Sequence, residues 1–130
     1  MNESKIHSGT RIKLKRMPEE HLPASFLSRV REFAHADERI LAVFAFLLQP
    51  EDAEPQPCLS IAVKSGLFSG KDDGFLQIVD EVQLFLPDDF PVKIYRYGES
   101  DTLTAYCASR VEPVYLRSAA WLQKQRKKHA

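Results

Sequence analysis

The chain has 130 residues, 44% of them hydrophobic and 28% charged, with a formal net charge of zero. This length and apolar content suit one folded domain and exclude a wholly disordered chain. The longest apolar run, Ile40 to Leu48, is less than half a membrane span, no secretory leader is recognisable, and Cys58 and Cys107 form no paired motif, so a cytoplasmic protein without membrane contact is expected.

Residues 1–9 are polar and aperiodic and read as a flexible lead-in to a single α+β domain over 10–117. A short strand is expected at about Thr10 to Arg16. Pro18, followed by Glu19 and Glu20, then starts a helix to about Ala36, because proline lacks an N–H the first turn would leave unpaired and acids suit the positive end of the dipole. Within it Leu22, Phe26, Val30, Phe33 and Ala34 recur at spacings of three and four.

Ile40 to Leu48 is apolar throughout and predicts a central strand covered on both faces. Gln49 to Pro57, with its prolines and acids, predicts an exposed loop, after which Leu59, Ile61 and Val63 alternate as a strand does. A turn at Gly66 to Gly74 precedes a second helix built on Phe75, Ile78, Val79, Val82, Phe85 and Leu86, capped by Asp72 or Asp73 and ended by Pro87 and Pro91. Val92 to Tyr97 predicts a strand with one wetter face.

The order β-α-β-β-α-β gives an α+β two-layer sandwich, and a ferredoxin-like sheet with both helices on one face is one topology this order allows. Leu103 to Cys107 predicts a further short strand, and residues 118–130 a basic C-terminal helix or tail.

The proline-rich, acidic helix start Pro18-Glu-Glu-His-Leu-Pro23, the long apolar strand and the closing segment Pro113-Val-Tyr115-Leu-Arg117 resemble the C-terminal domain of the enhanced serine sensitivity (SseB) family of bacterial proteins, over about Arg11 to Arg117. The resemblance implies no catalytic residues to carry over.

Motifs of catalysis fail on spacing. Gly66-Leu-Phe-Ser-Gly70-Lys71 looks like a phosphate-binding loop, but it has three residues between its glycines and Asp72 where a hydroxyl should follow the lysine. His7, His21, His35 and His129 form no metal-ligand pair, and no cofactor is expected. Cys107 lacks a recognisable base, and the pairs Asp72-Asp73, Asp80-Glu81 and Asp88-Asp89 read as caps and solvated faces. The protein is therefore expected not to be an enzyme.

Charge is segregated: the residues at 1–16 and 110–130 together carry +9 and the middle −9. A non-enzymatic interaction or regulatory domain is expected, presenting Tyr95, Tyr97, Tyr115 and Trp121, with Lys124, Arg126, Lys127 and Lys128, to another protein or to itself. Two alternatives stand beside this reading. One is a small-ligand pocket between sheet and helices or beside residues 66–74; the other is an anionic partner at the basic ends, where the zero net charge argues against nucleic acid.

Overall fold

Eleven consecutive residues, Ile40–Pro50, form β2, the strand around which the sheet is organised. The computed structural model describes residues 12–16, 24–50, 54–64, 74–86 and 91–129, and for 12–16 the backbone alone. The proposed helix start at Pro18, the turn at 66–73 with its Asp72 and Asp73, and the lead-in at 1–9 lie outside the described residues.

β1 (Ile12–Arg16) runs antiparallel to β2, with Ile12 opposite Pro50 and Arg16 opposite Phe46. On the other edge β2 pairs antiparallel with β3 (Gln56–Val63), which pairs in parallel with β4 (Lys93–Arg96). The first six elements are β1, α1 (Ala24–Ala36), β2, β3, α2 (Phe75–Gln83) and β4, in the expected order. The sheet order is not ferredoxin-like: it runs β1-β2-β3-β4, each strand beside its predecessor in the chain. The connection through α2 crosses from β3 to the parallel β4, while β2 and β3 form a hairpin.

Two segments differ from expectation. The loop expected over Gln49 to Pro57 is strand at both ends, with Gln49 and Pro50 in β2 and Gln56 and Pro57 in β3. Leu103 to Cys107 is not a strand but part of α3 (Asp101–Arg110), because Ser100 caps it, its side chain accepting from the Leu103 N–H at 3.3 Å, and Leu103, Thr104, Cys107 and Ala108 repeat with helical spacing. The C-terminal segment is a helix, α4 (Ala119–Lys128), capped in the same way by Ser118 on the Trp121 N–H.

Both faces of the sheet are covered. On one, Phe26, Val30 and Ala34 of α1 and Ile78 and Val82 of α2 pack on Val43, Ala45, Leu59 and Ile61. This is the expected helical layer. On the other, Leu103 and Cys107 of α3 and Leu122 of α4 pack on Ala42, Phe44, Phe46, Leu48 and Cys58. The C-terminal extension thus adds a second helical layer. A bulge at Leu41 sets the faces: β2 advances from Ile40 to Ala42 while β3 moves one residue, from Val63 to Ala62, so Ile40 and Ala42 serve opposite cores.

Candidate functional site

α4 is amphipathic. Leu122 is buried and Trp121 half-buried, while Lys124, Lys127 and Lys128 are exposed on the opposite arc. Among the described residues the side chains of these three lysines make no hydrogen bond or ion pair. Arg126 does not join them. Its Nε donates to the Ala108 carbonyl at 3.2 Å and its guanidinium pairs with Glu112 at 3.1 Å, tying α4 to the end of α3. Ser109 Oγ donates to the His129 carbonyl at 3.4 Å beside it. The basic last turn also complements the negative end of the helix dipole.

The aromatic residues singled out in the sequence fall into two places. Tyr97 stacks on Phe44 at 5.6 Å and meets Trp121 edge-on at 5.3 Å, and Tyr95 stacks on Phe46 at 6.5 Å. The Tyr97 hydroxyl donates to Gln125 Oε1 at 2.9 Å, so it reaches across the layer to fasten α4. Burial pushes the Tyr97 phenol up to about 12 and raises that of Tyr95. These rings are half-buried and pack between sheet and helices. Tyr115 lies apart from them, its ring 6.4 Å from that of His35 at the end of α1.

The segment from Pro113 to Arg117 is a clasp. The Val114 N–H donates to the Val43 carbonyl and the Arg117 N–H to the Leu41 carbonyl, both at 2.8 Å, seating β5 (Tyr115–Leu116) on β2. Since β3 occupies the other edge of β2 at these residues, β5 continues the edge that β1 begins. The Arg117 guanidinium donates to the carbonyls of Ile40, Ala34, His35 and Asp37 at 2.8, 2.8, 3.2 and 3.0 Å. Three of these oxygens belong to the last turn of α1 and the residue after it, and those of Ala34 and Asp37 also accept the backbone N–H groups of Asp37 and Ile40. Arg31 Nε of α1 donates in return to the Val114 carbonyl at 2.9 Å.

A family model described as the SseB protein C-terminal domain matches residues 6–117. The chain belongs to that family. No curated protein and no solved structure gives a significant match. The matched span ends on Arg117, so in this SseB C-terminal domain α4 lies beyond the residues matched. The closing motif that carries the resemblance has a structural role.

A groove of about 490 Å³ opens between the end of α1 and α2, lined by Phe33, Asp37, Glu38, Arg39, Gln77 and Glu81 among others. Arg39 holds Asp37 with one guanidinium edge, Nε donating to Oδ1 at 2.9 Å and Nη2 to Oδ2 at 2.6 Å, while Nη1 donates to Gln77 Oε1 at 3.2 Å. The Arg39 guanidinium beside Asp37 keeps its carboxyl below the ordinary 3.8. Gly74, not an aspartate, is the N-cap of α2, with φ 81° and the Arg39 guanidinium against it. The groove's polar groups are thus largely spent on one another.

Cys58 and Cys107 are both free and fully buried. Burial pushes each thiol up to about 12, with the Ser60 hydroxyl acting weakly the other way on Cys107. A thiol so rarely ionised is a poor nucleophile. Among the described residues no group of three His, Cys, Asp or Glu side chains could hold a metal ion, and no helix is long and apolar enough to cross a membrane.

Proposed function

We propose that this SseB C-terminal domain is a non-enzymatic interaction module of the cytoplasm, whose α4 presents a basic face to an acidic protein surface. The observation that carries the reading is the exposed set Lys124, Lys127 and Lys128 on a helix anchored by Leu122, Trp121 and Gln125. Charges on an anchored helix lose little backbone entropy on binding, and they steer an oppositely charged partner. An acidic protein surface fits better than nucleic acid, because the formal net charge of the chain is zero and Asp101 is exposed on the same layer. Two buried free thiols support a reducing compartment.

The test is fluorescence anisotropy with a labelled peptide rich in Asp and Glu. Binding should weaken with salt and be lost in the Lys124→Glu/Lys127→Glu/Lys128→Glu variant. No binding by the wild type at protein concentrations up to about 1 mM would reject the reading.

A further inference from the structure

The outward arc of α2 is unusual for a surface helix. Leu76 and Leu84 are 75% and 81% exposed, with Asp80 exposed midway between them at helical spacing of four. Glu81 flanks this stripe, and α2 contains no lysine or arginine. A stripe of two leucines around a carboxylate is the complement of a lysine-bearing helix: the four-carbon stems cover the leucines while the ammonium groups reach the acid.

α4 is such a helix. Lys124, Lys127 and Lys128 lie on its exposed arc, and the exposed Ala119 and Ala120 at its start are small enough to admit a close neighbour. Within one molecule the two helices cannot meet, because α2 packs on the face of the sheet carrying Val43 and Leu59, and α4 on the face carrying Phe44 and Phe46.

Resting on the reading of α4 given above, we propose that its acidic partner is the α2 face of a second copy of this chain. Charge complementarity selects this occupant: the chain is neutral overall, yet α2 offers acid with exposed leucine and α4 offers lysine. Because the complementary patches lie on opposite faces, the contact is head-to-tail and propagates as a short open chain rather than closing as a two-fold dimer. Screening weakens it as salt rises.

Sedimentation velocity tests this on the full chain. In about 20 mM NaCl the weight-average mass should climb with concentration above the 14.9 kDa of one chain, and return to it in about 500 mM NaCl. Lys124→Glu/Lys127→Glu/Lys128→Glu and Asp80→Lys/Gln83→Lys alter only exposed side chains, and thermal melts check that both variants fold. Each alone should associate at least about tenfold more weakly, whereas an equimolar mixture should associate again, since the reversed α4 now faces a reversed α2. Wild type that stays at the mass of one chain at low salt, association that either variant retains, or a mixture that stays dissociated overturns the inference. If wild type stays single while the acidic peptide still binds α4, self-association fails and the reading of α4 stands. If neither occurs, both fall.

Discussion

Arg117 caps the carbonyl of Ala34 at 2.8 Å across 83 residues of sequence. With the carbonyls of His35, Asp37 and Ile40 it closes the end of α1 and the entry to β2 with one charged fork. Arg117→Ala should destabilise the domain by about 2–3 kcal/mol, since several buried or half-buried acceptors lose a charged donor together. Arg117→Lys should recover less than half, because an ammonium cannot span the same oxygens. Urea unfolding monitored by circular dichroism measures both.

Gly74 should be the less replaceable of the two described glycines with positive φ. A Cβ there meets the Arg39 guanidinium, whereas at Gly98, with φ 102°, nothing lies within contact. Gly98→Ala should cost about 1 kcal/mol from backbone strain alone, and Gly74→Ala about 1–3 kcal/mol because Arg39 must also move. Comparison of their urea midpoints decides the ranking.

Leu122 is the one residue of α4 that is buried, so Leu122→Ala should cost about 2–4 kcal/mol and loosen the helix. Tyr97→Phe, which removes the bond to Gln125 and keeps the ring stack, should cost about 1 kcal/mol. Trp121 is the sole tryptophan. Its emission should shift to the red in Leu122→Ala at denaturant concentrations that leave the far-ultraviolet signal of the rest intact.

Acid should weaken the turn between α1 and β2. Asp37 titrates below its ordinary 3.8 when folded, because of its bonds to Arg39, so its contribution is complete above the unfolded value and is lost as pH falls through the folded one. The effect therefore lies from about pH 5 downward. Asp37→Asn should cost about 1 kcal/mol near neutrality and flatten that part of the stability curve, as measured by denaturation at a series of pH values.

Neither thiol should react in the folded state. With Cys58 and Cys107 fully buried and raised to about 12, labelling by a thiol reagent at about pH 8 should follow the rate of unfolding, and denaturant should release both thiols at once.

Much of this architecture can be read from residue order. The apolar run from Ile40 made β2 legible as a doubly covered strand, and the spacing of Ile78 and Val82 marked α2. The segment from Leu103 to Cys107 misled because Leu-Thr-Ala-Tyr-Cys alternates as a strand does, yet Ser100 followed by Asp101 was a helix-start signal, and its apolar contacts come from a distant sheet face. The basic character of the last segment was plain, but periodicity does not say that Arg126 is engaged with Glu112 while Lys124, Lys127 and Lys128 remain outward. Nor could the sequence show that Tyr97 reaches Gln125, or that the motif ending in Arg117 serves the end of α1, because both pairings depend on how the layers stack.

The clasp also orders events on the ribosome. Val114 and Arg117, which occupy the edge of β2 at Val43 and Leu41 and crown α1, are translated after all of the sheet from β1 to β4. A nascent chain that has emerged only as far as α3 therefore carries an open strand edge beside a helix end that still lacks the Arg117 guanidinium, the kind of surface that chaperones and proteases recognise. Copies truncated before Val114 should therefore be cleared rather than accumulate.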